Sequence, residues 1–450
     1  MKIDEAVFIE TLQKGSIYHK LGDSLLPYRT GERASSKKDF IESLCTDISS
    51  GQYFASIPRG YIVFNKHNYV PRITPILSDR DACVYYYCAK QLQDVIAINR
   101  VPGTFGGWRF GSPIREIEDK ERMEDFQFSL FDDPGFESDG PYFFRNSIEP
   151  AAWKKNWVAF TQLVFDKSRQ VDSAAFIKFD VANSYDTIRL DLLERKIRAE
   201  ASGSHGPVID LLFLFLRSWN RLFEEFMAKT IGIPQEETGD GSRLCANFYL
   251  QEYDAHVEAV CSELSRPGQY VRFADDQVVM APTMRDARNV LVDASIQLHK
   301  IGLNVNSGKV IQFFRREDFD HYWTFEYFNL LEDTDDIAKV NQAARMFLEQ
   351  VDLDRLTARP SPWRSHTVLA RIASIGLDRI EEPTRTRIVD LLLGEDTLVG
   401  LDEWMLRKIA PALTEVERER LFNTLDNWIA LSPFTGFLLN VRAACITTAR

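Results

Sequence analysis

Residues 270–276 read Tyr270-Val-Arg272-Phe273-Ala274-Asp275-Asp276, and Gln277-Val-Val-Met-Ala281 follows at once. Two runs rich in β-branched and aromatic residues flank an Ala-Asp-Asp tip, a pattern that predicts a tight hairpin with two adjacent carboxylates at its turn. Upstream, a second apolar run, Ala174-Ala-Phe-Ile-Lys-Phe-Asp180, ends on a third carboxylate. If the two strands neighbour each other in one sheet, Asp180, Asp275 and Asp276 converge. Each feature also has a plainer reading. Asp favours turns, so Ala-Asp-Asp alone suits a purely structural hairpin. Asp180 alone suits a helix N-cap after a strand.

Converging carboxylates are the oxygen-rich ligands that hard divalent ions require, and magnesium takes one or two of them together with substrate phosphates. A two-metal site activates an attacking hydroxyl with one ion and neutralises a leaving pyrophosphate with the other. The expected cofactor is therefore Mg2+, with Mn2+ as a substitute.

Composition bounds the rest. The chain has 450 residues, 45% hydrophobic and 27% charged, enough for a sizeable core and two or three domains. No apolar run reaches the ~18 residues of a membrane span, and Met1-Lys-Ile-Asp-Glu5 does not read as a secretory signal. Six scattered cysteines (45, 83, 88, 245, 261, 445) lack the pairing of a zinc site and are expected to be reduced core residues in a cytoplasmic protein. A net charge of −12 argues against bulk electrostatic binding of long nucleic acid. The pairs Lys37-Lys38, Lys154-Lys155 and Arg315-Arg316 read as solvated surface charge.

Along the chain, residues 1–50 are expected to be helical with a polar break at Thr30-Gly-Glu-Arg-Ala-Ser-Ser36, and residues 53–77 to contain a hairpin. Helical periodicity with an aromatic face (Tyr85, Tyr86, Tyr87) covers 79–100, while Gly103-Thr-Phe-Gly-Gly-Trp-Arg-Phe-Gly111 reads as a loop. Residues 117–147 are acidic and poor in helix signals. A helix opening on Pro150 precedes the Asp180 strand, and helices are expected over about 186–230, 242–264 and 284–302. From about 330 onward amphipathic helices succeed one another, broken at Pro360-Ser-Pro362, Gly376, Glu381-Glu-Pro383 and Leu413-Thr-Glu415, without a repeated signature.

Four features occur in an order that decides between the readings. They are Asp180-Val-Ala-Asn-Ser-Tyr185-Asp186; Gly232-Ile-Pro-Gln235 followed by Ser242-Arg-Leu-Cys-Ala-Asn247-Phe-Tyr-Leu; Arg272-Phe-Ala-Asp275-Asp276; and Gly302-Leu-Asn-Val-Asn306-Ser-Gly-Lys309. Together they resemble the palm motifs of reverse transcriptases, over roughly residues 50–315. The resemblance implies an α+β right-hand polymerase, with fingers and a ferredoxin-like palm, followed here by an all-α, helical-repeat-like domain in place of a thumb. The corresponding divisions are 1–168 for the N-terminal region and fingers, 169–312 for the palm, and 313–450 for the helical domain. It implies Asp180, Asp275 and Asp276 as metal-binding catalytic residues and Lys309 as the group that protonates or screens pyrophosphate. By the same resemblance Tyr185 lies under the sugar and excludes a 2′-hydroxyl, Gln235 contacts the nucleotide, and Arg72 grips the triphosphate.

This chain departs from the family pattern in three ways. Phe273 stands where the hairpin usually has Tyr, which loses only a hydroxyl. Glu236 replaces the Gly after Pro-Gln, and the loop to Ser242 is longer than usual. Both changes argue against ordinary gripping of a template–primer duplex, because Gly there lets backbone approach nucleic acid closely. A palm joined to a helical domain with little thumb resembles the bacterial abortive-infection reverse transcriptases and related defence enzymes. That resemblance implies deoxynucleoside triphosphates as substrates, homo-oligomers, untemplated extension from a protein hydroxyl with the DNA product covalently attached, and a role against phage. Tyrosines 18, 28, 53, 61 and 69 are the candidates for such a hydroxyl. Two alternatives stay open: a templated enzyme copying a non-coding RNA, and an inactive palm serving as an oligomeric scaffold or nucleotide sensor.

Overall fold

The computed structural model describes residues 3–14, 17, 37–65, 71–97, 99–107, 150–170, 175–220, 232–235, 240–331, 335–357, 365–394, 409–431 and 442. The described residues within 1–62, 74–123 and 146–315 make one compact unit, and those within 63–73, 124–145 and 316–450 make another. The polar break at 30–36, the acidic segment 117–147, Glu236 and the Pro360 break lie outside the described residues.

The first unit is organised by a six-stranded sheet. Its path runs β3 (Thr104–Phe105), β5 (Gln269–Phe273), β6 (Asp276–Ala281), β4 (Ala175–Ala182), β7 (Asn304–Val305), and β8 (Ile311–Phe313) also pairs with β4. A separate two-stranded sheet joins β1 (Gly60–Asn65) to β2 (Pro71–Ile76), as the alternating pattern over 53–77 predicts. Strand β4 is central and nearly all of it is buried, which is why it reads as a continuous apolar run rather than an alternating one. It pairs antiparallel with β6 on one side and with β7 and β8 on the other.

Strand alternation assigns the two faces. Tyr270, Val279, Ala281, Ile177, Phe179 and Val181 belong to the main core, which the helices Asp79–Ala97, Gly206–Leu216, Asp240–Ser262 and Met284–Lys300 complete. The opposite face carries Lys178, Asp180 and Asp276. Phe273 lies on it too, packed at a tilt of 49° against Phe160 of the helix Pro150–Gln170 with 5.5 Å between ring centroids, and Phe160 meets Phe105 at 6.0 Å. Helix Met284–Lys300 starts where the Thr283 side chain accepts the Asp286 amide at 3.1 Å, an N-cap that ends strand β6 cleanly.

Two sequence expectations change. Tyr85, Tyr86 and Tyr87 are all buried, so they do not form one face; their helix is enclosed on several sides by the helices Glu5–Lys14, Gly206–Leu216 and Asp240–Ser262. The segment from Gly103 is not all loop, because Thr104–Phe105 adds a parallel edge strand to β5, in register with Arg272 and Phe273. In the second unit every described element from Arg316 onward is helical, from Arg316–Trp323 to Glu415–Leu431, around a core of its own that includes Phe347, Ile388, Leu392 and Leu421.

Candidate active site

The register of β4 against β6 sets Asp180 directly opposite Asp276. Phe273 pairs with Asp276 across the hairpin, so Ala274 and Asp275 form a two-residue tip. Ala274 has φ 52°, a left-handed conformation that costs a non-glycine residue about 1–2 kcal/mol. Surrounding bonds impose it. The Ala274 amide donates to the Phe105 carbonyl at 3.1 Å, and the Val181 amide donates to the Asp275 carbonyl at 3.3 Å. The end of β4, the hairpin tip and the edge strand are thus tied together by backbone.

Close contact is also built in at Gly106. Its φ is +109°, and a Cβ there would sit 2.8 Å from the Ala274 amide nitrogen. Only glycine lets this segment lie against the carboxylate turn.

Directly opposed carboxylates repel, and two lysines answer that repulsion. Lys178, on the same face of β4 as Asp180, donates to Asp276 Oδ1 at 2.5 Å. Lys309, on the turn Ser307–Lys309, donates to Asp180 Oδ2. The Asn306 amide donates to the Asp180 carbonyl at 2.8 Å, which holds that turn beside the strand. Burial pulls the Lys309 ammonium down, but the Asp180 hydrogen bond and the charges of Asp180, Asp275 and Asp276 outweigh it and hold the group above its usual range. Burial pushes the Asp275 carboxyl up to about 6, reinforced by Asp276 and Asp180.

Behind the tip lies a network to which the sequence motifs assign no role. Arg272 is completely buried. It grips Asp254 through Nε and Nη2 at 2.7 and 2.5 Å, and its Nη1 reaches Asn247 Oδ1 at 2.8 Å and the Ala274 carbonyl at 2.7 Å. Asn247 donates onward to the Gly107 carbonyl at 3.2 Å, and Tyr270 donates to Asp254 at 2.8 Å. Helix Asp240–Ser262, the hairpin tip and the 103–107 segment therefore share one polar rivet. Lys178 is the other missed residue, and its signal was present: a lysine inside an otherwise apolar strand run needs a buried anion.

The remaining expected site residues divide. Tyr185 sits half-buried on the main core, in the turn Ser184–Thr187 just after β4. Its carbonyl accepts the Ile233 amide at 3.0 Å. A Cβ on Gly232 would fall 1.8 Å from that carbonyl oxygen, so the segment leading to Gln235 is clamped against Tyr185. The far side of the segment is held by Ser242, which donates to the Pro234 carbonyl and leaves the Tyr85 hydroxyl to donate to Ser242 at 2.8 Å. Arg72 lies on β2, and its side chain is outside the described residues. Asp180 is not a helix cap; the N-cap position belongs to Asn183. Of the candidate priming tyrosines, Tyr53 is buried and donates to Asp81 at 2.8 Å, and burial pushes Tyr61 up to about 12. Tyr18, Tyr28 and Tyr69 lie outside the described residues.

Among the described residues no three His, Cys, Asp or Glu side chains already stand in metal-holding geometry. Lys178 and Lys309 each occupy one carboxylate oxygen of the site. The donor set nonetheless suits a hard cation. Asp180 is 2% exposed, and its Oδ1 is buried with no hydrogen-bond partner. An unpaired buried carboxylate oxygen is costly unless a cation meets it. Five of the six cysteines are buried free thiols. No described helix is long and apolar enough to cross a membrane.

Residues 143–332 match the family described as reverse transcriptase (RNA-dependent DNA polymerase). That stretch contains β4, the β5–β6 hairpin, Lys309 and the helices between them. The chain carries a reverse-transcriptase-type polymerase domain, of the nucleotidyl-transferring kind. No curated protein sequence matches the chain. Among solved structures it is similar to telomerase from Candida albicans in complex with a TWJ fragment of telomeric RNA. The identity is 9%, the coverage 83% of this chain and 66% of that one, and the TM-score 0.35. It is also similar to apo telomerase from Candida tropicalis, at 11% identity, 87% and 69% coverage, and TM-score 0.31. The chain thus spans about two thirds of the length of each.

Proposed function

We propose that this protein is a DNA polymerase that adds deoxynucleotides by two-metal nucleotidyl transfer, without a template and from a hydroxyl of the protein itself, in cytoplasmic anti-phage defence. The observation that carries the catalytic part is the register pairing of Asp180 with Asp276, with Asp275 at the tip beside them. Asp180 and Asp275 would hold Mg2+ or Mn2+. Bound there, the ions lower the pKa of the attacking hydroxyl and neutralise the leaving pyrophosphate. Lys309, whose side chain is 58% exposed, can leave Asp180 and turn to the departing phosphate. Tyr185 closes the sugar side of the pocket against a 2′-hydroxyl, and Gln235, at the end of the clamped 232–235 segment, reaches the nucleotide.

The untemplated, protein-primed part rests on the resemblance to abortive-infection enzymes, on the Glu236 departure and on the acidic charge of the chain. None of these favours a long gripped duplex. The helices from Arg316 onward then serve in place of a thumb and in assembly of a homo-oligomer. Tyr53 is a poor primer because its hydroxyl is engaged and buried.

Purified protein incubated with Mg2+ and labelled deoxynucleotides, with no template or primer added, tests this. Label that protease alone releases, and that an Asp275→Asn/Asp276→Asn variant never acquires, is the expected result. Synthesis only on an added RNA–primer pair would make the enzyme templated. No synthesis under either condition would leave a scaffold.

A further inference from the structure

We propose that Lys178 is a resident cation of the carboxylate site. It keeps Asp276 in a permanent ion pair, so that divalent ions load through Asp180 and Asp275 and displace Lys309 alone. This inference rests on the nucleotidyl-transfer reading above and assigns different work to the two hairpin carboxylates.

The geometry separates the two lysines. Lys178 is 4% exposed, precedes Asp180 by two residues on the same face of β4, and reaches diagonally across to Asp276 at 2.5 Å. Its side chain is 5% exposed, and a buried ammonium without a partner is prohibitively costly. The ion pair is therefore as permanent as the strand. Lys309 is the opposite case. It is mounted on a surface turn, its side chain is mostly exposed, and it can trade Asp180 for solvent or phosphate once a cation meets Asp180.

Charge gives the same division. Three carboxylates face two ammonium groups. With Lys178 and Asp276 cancelling each other, Asp180 and Asp275 remain as two negative charges, the complement of one divalent ion once Lys309 departs. A second ion then depends on substrate phosphates, as magnesium sites commonly do. The unpaired Asp180 Oδ1 marks where the first ion finds a ligand. Lys178 also lets opposed Asp180 and Asp276 coexist in the fold with no metal bound. It is a positioning residue, acting through Asp276 rather than on the substrate.

Mn2+ binding to nucleotide-free protein, followed by the loss of the free-ion electron paramagnetic resonance signal, tests this without any turnover. Lys178→Met removes the charge at similar length, leaves Asp276 uncompensated, and is expected to tighten Mn2+ binding by about tenfold. Lys178→Met/Asp276→Asn, which keeps a neutral pair, is expected to return within about threefold of wild type. Lys178→Arg should bind as wild type does. Asp275→Asn should weaken binding by about tenfold or more. Unchanged or weaker binding in Lys178→Met overturns the proposal. So does a double variant that binds as poorly as Asp275→Asn, because Asp276 would then be a ligand in its own right. Wild-type protein that binds no Mn2+ sensitive to Asp180→Asn would sink the nucleotidyl-transfer reading itself, a result distinct from either of these.

Discussion

Arg272 shows how much a single buried charge is asked to do here. Its guanidinium meets Asp254, Asn247 and the Ala274 carbonyl at full burial. Replacing it by Met leaves Asp254 charged and alone in the core, where loss of one partner of a buried pair costs about 3–5 kcal/mol. Arg272→Met is therefore expected to lower stability by that amount in urea unfolding. Arg272→Met/Asp254→Leu should recover most of it, yet remain impaired in nucleotide incorporation because the Ala274 carbonyl has lost its donor. Full activity in the stable double variant would show that the rivet serves only the fold. Gly232→Ala tests the neighbouring clamp: a methyl 1.8 Å from the Tyr185 carbonyl forces backbone to move, at about 3 kcal/mol. Incorporation should fall further than the loss of folded protein accounts for, because Tyr185 and Gln235 shift together. At this scale the sequence announced its carboxylates, since Asp at strand ends and turns in a fixed order is a readable pattern. It did not announce Arg272, and for Lys178 it announced only the need for an anion, not which one. Their roles depend on which strand face is covered, and that is known only once the register is.

Elements were legible in proportion to their length. Helices such as Pro150–Gln170 and Met284–Lys300 repeat their apolar period over several turns, and the β5–β6 hairpin alternates around a turn. Strand Thr104–Phe105 has two residues, too few to show any period, and its glycines read as loop. Only the neighbouring strand makes it a strand. Gly106→Ala, which adds a methyl to a residue at φ +109° against the Ala274 amide, should therefore depress incorporation while far-ultraviolet circular dichroism stays unchanged. In the second unit, Leu413-Thr-Glu was legible as a break, and the structure shows why: Thr414 and Glu417 form a capping box. The Thr414 amide donates to Glu417 at 2.7 Å, and the Glu417 amide donates back to Thr414 at 3.3 Å. The hydrogen bonds from Arg385 hold Glu417 down at about 2, against an ordinary 4.5. A depressed carboxyl contributes stability that is present above its unfolded value and lost as pH falls toward its folded one. Glu417→Gln keeps the capping contact but loses the charge, so it should be less stable than wild type at pH 6. The difference should close as pH falls from about 4.5 toward about 2, read from urea midpoints across that range. A gap that persists at the acid end would assign the effect to packing.

Cores, more than domain boundaries drawn on sequence, decide how a whole chain unfolds. Each unit of this protein encloses its own apolar cluster. One is built on the sheet and includes Leu298; the other lies among the helices after Arg316 and includes Leu392. Both leucines are completely buried. Cooperative unfolding follows a shared core, so two separate clusters are expected to give two calorimetric transitions. Leu→Ala at a buried site costs about 2–5 kcal/mol, through lost transfer energy and the cavity left behind. In units of this size, each kcal/mol moves Tm by about 2–4 °C. Leu392→Ala should lower one transition by about 4–20 °C and leave the other in place. Leu298→Ala should do the converse, and the transition it lowers should be the one that Mn2+ raises, because Asp180 and Asp275 belong to the same unit. The pairing of a core variant with a metal-responsive transition identifies which unit carries the chemistry without measuring any product. If both variants lower one common transition by similar amounts, the two cores unfold as a single cooperative body, and the helices after Arg316 are then part of the polymerase's stability rather than an attached assembly module.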